Sequence, residues 1–372
     1  MALDADRYRL TEAEHQAIFD KRIKPQLFAD AKPSDKPVAV IFGGQPGAGK
    51  SASVDDALRE LKHRGGAAQI IGDDLRGYHP QYGRLMERDD KTAAFYTDRD
   101  TGRWVEKAIE HAKQQRLNVV IEGTMRDGNK VAETMQSLRG AGYEVDARAL
   151  AVNDKLSWQG VMQRYENQKA DRGSGRMTAP HSHRDAYEGV PVTVERIERE
   201  KLADRVTIYR RGGEAIYTNA LRDGQWQYPE GARQAVENER SRPMTLQERK
   251  DYAEAFDKLA ALMAKPERRA TADELRNLDE LRTQARRELA AEVFRKVDPA
   301  EAVKTNPELA GAYGAVAAVA KKAEADGLPA ERQAVVVARA RENVAASIER
   351  GEAPSVQMRD EVARSRSKDA ER

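Results

Sequence analysis

The chain has 372 residues, with 64 lysines and arginines against 62 aspartates and glutamates, and no cysteine. The near-neutral balance excludes a generic polyanion binder of the nucleic-acid-binding kind, whose domains cluster basic residues and reach a pI above about 9. The missing thiols exclude a disulfide scaffold, a thiolate zinc site and a catalytic cysteine.

From the N-terminus, Met1 to Leu10 carries Asp4, Asp6, Arg7 and Arg9 and no apolar leader. No later apolar run approaches the ~18–20 residues that span a bilayer, so a cytoplasmic chain with no membrane or nucleic-acid partner is predicted. Thr11 to Ala31 reads as an amphipathic helix opened by the capping box Thr11-x-x-Glu14. Val38 to Phe42 is a continuous apolar run of the kind a strand buried on both faces shows. Gly44-Gln45-Pro46-Gly47-Ala48-Gly49-Lys50-Ser51 follows it and fits G-x-x-x-x-G-K-[ST], with a helical stretch from Ser51 to His63 behind it. Glycines at these positions let backbone N–H groups converge on phosphates, and the helix N-terminus adds partial positive charge. Gly44 to Ala52 therefore reads as the binding loop for ATP or GTP. Lys50 is placed on the β- and γ-phosphates and the Ser51 hydroxyl on Mg²⁺.

Ala68 to Ile71 is a second strand, and Gly72-Asp73-Asp74-Leu75-Arg76-Gly77-Tyr78-His79-Pro80 follows its end. A hydroxyl acceptor needs a carboxylate to take its proton. Asp73 is the candidate base, Asp74 reads as an N-cap or surface residue, and His79-Pro80 as a turn lock or loop packing. Gly102 to Arg116 reads as a helix and Leu117 to Ile121 as a third strand ending in Glu122-Gly123-Thr124-Met125-Arg126. Glu122 is placed to hold a Mg²⁺ water or the substrate; Thr124 either donates to a phosphate or caps the helix from Asp127 to Leu138. Val145 to Val152 is a fourth strand. Arg164 lies in the helical Gln163-Arg164-Tyr165-Glu166, and Arg176 in a glycine-flanked loop, Gly173 to Pro180, that reads as a mobile lid. Both arginines are candidates to neutralise the transferring phosphoryl group. Arg205 to Tyr209 is a fifth strand.

After about residue 235 the strand signals stop and Ala, Arg and Glu dominate. Thr245-x-x-Glu248 and Thr271-x-x-Glu274 open helices, and Tyr252, Phe256, Leu259 and Met263 fall at helical spacing, as do Leu275, Leu278 and Leu289. Gly351 ends a last helix, and Ser355 to Arg372 reads as a frayed, charged terminus. The fold expected is α/β: a P-loop NTPase-like parallel sheet flanked by helices over residues 1–235, then an all-α region over 236–372.

Taken together, the phosphate loop, Gly72 to Arg76 with His79-Pro80, Val120 to Arg126, Arg164-Tyr165-Glu166 and Arg176-x-Thr178-x-Pro180 resemble the zeta-toxin family of P-loop kinases in order and spacing over roughly residues 10–220. The resemblance implies a kinase that phosphorylates the 3′-hydroxyl of UDP-N-acetylglucosamine with ATP (or GTP) and Mg²⁺, acting as a toxin paired with a small helical antitoxin. It implies Asp73 as the base; Glu106, Arg126 and Thr134 on the UDP-sugar; Glu122 and Thr124 on substrate or metal; and Arg164 and Arg176 on the nucleotide phosphates. Asp74 and Leu75 depart from the family's acidic–aromatic pattern, and Tyr82 to Arg103 is a stretch that varies in the family. Two alternatives stand beside this reading: a kinase of another nucleotide or small molecule, and a nucleotide-binding interaction protein of plasmid transfer. The second rests on Asn306 to Tyr313 and Arg350 to Glu352, which are loosely similar to helical segments of mobilisation proteins.

Overall fold

The structure is a computed structural model that describes residues 4–352. Met1 to Leu3 and the stretch Ser355 to Arg372, read above as frayed, lie outside the described residues.

The lead-in follows its capping box: Thr11 Oγ1 accepts from the Glu14 amide, and the Glu14 carboxylate accepts from the Thr11 amide. It is not one regular helix. Helix α1 (Glu12–Ile18) widens into a π turn (Phe19–Ile23) and then α2 (Lys24–Leu27). Pro25 has no N–H to donate one α-turn back, and a widened turn accommodates it. Phe19 and Ile23 face the core.

Strand β1 (Val38–Gly43) is buried along its whole length, and α3 (Lys50–Leu61) covers it with Val54, Ala57 and Leu61. Val54 and Leu61 each contribute about 1.5–3 kcal/mol when fully buried, and the Ala57 methyl less. The chain continues through β2 (Ala68–Ile71), α4 (Gly72–Leu75), α5 (Tyr82–Arg88), α6 (Ala93–Gln115), β3 (Val119–Glu122), α7 (Gly128–Gly140), β4 (Glu144–Ala151), α8 (Asp154–Arg172), α9 (Pro180–Arg199) and β5 (Arg205–Arg210). Helix α6 starts well before Gly102, because Ala93, Thr97, Asp100, Thr101 and Trp104 extend its buried face N-terminally.

The sheet order is β2-β3-β1-β4-β5, all parallel, continued by β6 (Ala215–Arg222) and β7 (Gln225–Trp226), which are antiparallel. The expected parallel sheet is there, and the added strands extend it at one edge. Strand β6 is mostly half-exposed, so it lacks the apolar run that marks buried strands. Its sequence signal was the Gly212-Gly213 turn, where both glycines take positive φ. Because β1 lies between β3 and β4, the chain leaves it to one side for β2 and β3 and to the other for β4. The crevice at its carboxyl end is the topological switch point where α/β sheets bind ligands.

Helix α10 (Ala232–Ser241) belongs by packing to this first unit, which comprises residues 1–243 and 265–268. Ala232 and Val236 enter its core. The buried Glu198 carboxylate accepts from the Gly231 and Ala232 amides, at 2.9 and 2.8 Å, and from the Tyr217 hydroxyl at 2.5 Å, pinning the start of α10 to α9 and β6.

The second unit comprises residues 244–264 and 269 onward. It is helical: α11 (Leu246–Met263), α12 (Ala272–Lys296), α13 (Pro299–Thr305), α14 (Ala310–Ala325) and α15 (Ala330–Arg350). Both threonine capping boxes form, and Gly351 closes α15 in the left-handed conformation. Phe294, Leu309, Ala345 and Ile348 make its core, and Tyr252, Phe256, Leu259 and Met263 are buried on α11. Leu275, read as part of an apolar face, is instead 41% exposed. Arg295 joins α12 to α15 through Glu342 and Glu349. No described helix of either unit is long and apolar enough to cross a membrane.

Candidate active site

The phosphate loop leaves β1 with Gly44, Gly47 and Gly49 at positive φ. A side chain at Gly47 would meet the Ser157 carbonyl at 1.9 Å, and one at Gly160 the Gly47 carbonyl at 2.4 Å, so the loop packs directly on the first turns of α8. Gly43 is equally constrained, since a Cβ there would overlap the Met125 side chain. Lys50 is buried; its ammonium donates to the Gly44 carbonyl at 2.9 Å and lies 3.7 Å from the Glu122 carboxylate at the end of β3. Burial pushes the Lys50 ammonium below its ordinary pKa, with Glu122 opposing. Burial likewise raises Glu122, with Lys50 opposing and Asp73 and Asp74 adding to the rise. The Ser51 hydroxyl sits exposed in the first turn of α3.

Asp73 follows β2, at the same level as the loop. Its carboxylate accepts from Arg176 Nη1 at 2.7 Å, is paired with Arg176 Nη2 as well, and accepts from Arg76 Nε at 3.2 Å. Burial pushes Asp73 upward, but Arg176, Arg76 and Arg164 together outweigh it and hold the carboxyl below its ordinary range. Arg164, on α8, donates from Nη2 to the Thr178 hydroxyl at 2.8 Å, and its Nε is buried without a partner. Burial and the charge of Arg176 lower its pKa, with Asp73 and Glu122 opposing. Lys50, Asp73, Glu122, Arg164 and Arg176 thus form one electrostatic cluster at the carboxyl ends of the parallel strands. Among the described residues no group of three or more His, Asp or Glu side chains forms a metal cage.

Outside the phosphate loop, the other sequence-derived site residues make no ion pair or hydrogen bond with this cluster among the described residues, although Asp74 couples to Asp73 and Glu122 through its charge. Glu106 is exposed on α6, and Arg126 is exposed before α7. Thr134 donates to the Lys130 carbonyl one turn back on α7. Thr124 does not cap α7, because Asp127 does so, accepting from the amides of Asn129 and Lys130. Asp74 is raised by burial and by Asp73, and caps no helix, since α4 begins at Gly72. His79 is buried in packing, its Nδ1 accepting from the Gln81 amide at 3.2 Å.

The loop carrying Arg176, read from its glycines as a lid, is held at Gly175. The Asp90 carboxylate, between α5 and α6, accepts from the Gly175 amide, the Tyr165 hydroxyl and the Lys169 ammonium, at 3.1, 3.0 and 3.0 Å. A Cβ at Gly175 would meet the Tyr165 carbonyl at 2.4 Å, so Gly175 serves close approach. Beside it, Glu166 on α8 pairs in bidentate fashion with Arg268, at 2.7 and 2.9 Å, both side chains being buried.

A sequence model of the family described as Zeta toxin matches residues 25–222, more than half of the chain. The chain belongs to the zeta toxin family. Among zeta toxin relatives, Toxin PezT of Streptococcus pneumoniae serotype 4 is 28% identical over 208 residues, covering 56% of this chain and 81% of that protein. Toxin zeta of Enterococcus hirae is 28% identical over 207 residues, covering 55% and 72%. A solved structure from the PezAT chromosomal toxin–antitoxin system of Streptococcus pneumoniae superposes with a TM-score of 0.59 at 23% identity. It covers 69% of this chain and all of that one, a likeness of fold. The zeta toxin match and the cluster coincide in the first unit, and α10 lies beyond the matched residues.

Three site residues escaped the sequence reading. Arg76 lay in a quoted motif without a role; it ties Asp73 to α6 through Asp98 at 2.6 Å and the Ala94 carbonyl at 2.9 Å. Its spacing from Asp73, three residues along a helical turn, was the available signal. Asp90 and Arg240 act across about 85 and 195 residues of sequence, and no local pattern announces them.

Proposed function

We propose that this zeta toxin chain is an ATP-dependent kinase that phosphorylates the 3′-hydroxyl of UDP-N-acetylglucosamine or a related UDP-sugar, and that it is the toxin of a pair whose partner is a small antitoxin protein. The observation that carries this is the convergence of Lys50, Asp73, Glu122, Arg164 and Arg176 on one phosphate loop. These are the parts that phosphoryl transfer requires: a phosphate cradle, a base for the acceptor and cations for the charge that spreads in the transition state. The partner follows from the relatives' printed toxin names and the toxin–antitoxin system of the similar structure.

The loop amides and Lys50 bind the β- and γ-phosphates, and Arg164 and Arg176 meet the γ-phosphate from the α8 side. Asp73 accepts the acceptor hydroxyl's proton as that oxygen bonds to the γ-phosphorus and the bond to the β-phosphate oxygen breaks, releasing ADP. Mg²⁺ fits the donors present: the Ser51 hydroxyl and the Glu122 carboxylate are hard oxygens, and Mg²⁺ takes few protein ligands beside phosphates and water. When bound, it supplies charge neutralisation between the β- and γ-phosphates.

The Arg176–Asp73 pair orders the events. While Arg176 holds the carboxylate, Asp73 is a weak base; a γ-phosphate that draws Arg176 away leaves a stronger one. The base works ionised, and Arg176 favours that form, so Arg176→Gln raises the Asp73 pKa. The acid limb of the kcat/KM profile is then expected at higher pH than in the wild type, and an unmoved limb sinks the coupling. The reaction itself is tested by incubating the protein with labelled ATP, Mg²⁺ and UDP-N-acetylglucosamine. A phosphorylated UDP-sugar is expected; label on another metabolite from an extract, with none on the UDP-sugar, overturns the acceptor.

A further inference from the structure

Gln45 is the second residue of the phosphate loop, yet its side chain is fully buried. Its Nε2 donates to the Val152 carbonyl at 2.7 Å and to Ser157 Oγ at 3.2 Å. Its Oε1 accepts from Arg240 Nη2 at 2.9 Å. Arg240 is itself only 5% exposed. Its Nη1 donates to the Tyr187 carbonyl at 2.6 Å, its guanidinium lies 4.1 Å from the Tyr187 ring centroid, and its Nε is buried without a partner. Among the described residues no carboxylate stands within ion-pair distance of it.

Buried cations are almost always paired, because an uncompensated charge in a low-dielectric interior is costly. Burial lowers Arg240 to about 10, against the pull of Tyr187, Asp154 and Glu237, which still leaves it charged at neutral pH. So α10 carries an unpaired positive charge to the back of the loop that must receive a polyanion on its front. The placement is held from both ends: Glu198 accepts from the Gly231 and Ala232 amides, and Asn153 Nδ2 donates to the Arg240 carbonyl at 3.0 Å. The Gln45 carbonyl in turn accepts from the Ala48 amide at 3.2 Å and from Lys50 Nζ at 3.4 Å, so fixing the Gln45 side chain fixes the turn that presents the loop.

We infer that Arg240, which lies outside the family-matched residues 25–222, is a positioning residue of the nucleotide site, locking the phosphate loop through Gln45 and adding a buried positive charge that the nucleotide phosphates compensate. This rests on the proposal that the loop binds ATP.

Arg240→Met tests it, because it keeps the stem's packing and removes the charge. Exchanging the buried ion for an apolar chain removes its desolvation cost but leaves Gln45 Oε1 and the Tyr187 carbonyl without their donor, so the net change in stability is small or a modest loss, whereas loss of the loop's lock weakens phosphate binding. Affinity for ATP and for inorganic triphosphate, measured by calorimetry well below the unfolding midpoint, is expected to fall about tenfold for each, the worth of one hydrogen bond to a charged group. KM for ATP rises by a similar factor with kcat less affected; a merely structural defect would reduce the active fraction and so kcat alone. Arg240→Lys, which restores the charge, is expected to recover part of the affinity. Wild-type affinity in Arg240→Met, or an Arg240→Lys protein as weak as Arg240→Met, overturns the inference. A wild-type protein that binds neither ATP nor triphosphate instead refutes the nucleotide reading on which it rests.

Discussion

Asp73→Asn is expected to lower kcat for phosphoryl transfer by about 10³-fold, in the middle of the range that a positioned general base supplies, while ATP still binds. Asparagine keeps the size of the side chain, and its Oδ1 still accepts from Arg76 Nε and Arg176 Nη1, but its amide nitrogen cannot accept from Arg176 Nη2 and the side chain takes up no proton. The residue is singled out by geometry: it is the carboxylate after β2 that faces two arginines at the level of the phosphate loop. Asp74, one residue on, meets neither arginine in an ion pair among the described residues. Asp74→Asn is therefore the control, and it should leave kcat near the wild-type value. Steady-state kinetics with labelled ATP and the UDP-sugar separate the two; if Asp73→Asn keeps more than a tenth of the wild-type kcat, Asp73 is not the base.

Arg164→Ala carries the second large effect. Its guanidinium is held by a single hydrogen bond to Thr178, with Nε buried and unpartnered, so its charge is available to an anion. Arg176 differs, because Asp73 already compensates it. A catalytic arginine is worth about 10³–10⁵ in phosphoryl transfer, and a loss of about 10³-fold in kcat is expected for Arg164→Ala. Arg164→Lys should recover only part, since a point charge lacks the planar fork that spans two phosphate oxygens. Single-turnover measurements check that the chemical step is affected; a change confined to KM would place Arg164 in ground-state binding only.

The packing of α10 decides where the chain is cut to test the role of the helical region. A chain cut near residue 235, where composition changes, loses Val236 from the core and Arg240 from the back of the phosphate loop. Its loss of activity would report on the site. A cut after Pro243 keeps α10 but removes Arg268, the partner of the buried Glu166 carboxylate beside the Arg176 loop, so the variant Arg268→Met in the full chain is its control.

The phosphate loop was legible because its chemistry is local: glycines, Lys50 and Ser51 are contiguous, and a buried strand and a helix flank them. The same holds for the five parallel strands, read from one continuous apolar run and four short runs rich in β-branched or apolar residues, and for the three capping boxes, each a four-residue pattern. Strand β6 was missed because a half-exposed strand at a sheet margin has no apolar run, and the helical break at Phe19 because its cause lies one turn later, at Pro25. Chain order along the β–α units also placed Asp73 and Glu122 at strand ends, which is where α/β sheets gather their ligands.

What the sequence by itself determined is therefore the P-loop architecture, the family, and the residue types available to handle a phosphoryl group within a chain of nearly balanced charge. Tertiary structure decided which charges meet. Arg176 pairs with Asp73 across 103 residues, Asp90 pins the loop that carries Arg176, and Arg240 reaches Gln45 from a helix beyond the family match. A single charged residue has the same local sequence signature on a solvated face as in a buried site. Its energy is set by desolvation and by the partner it meets, and both are properties of the folded chain.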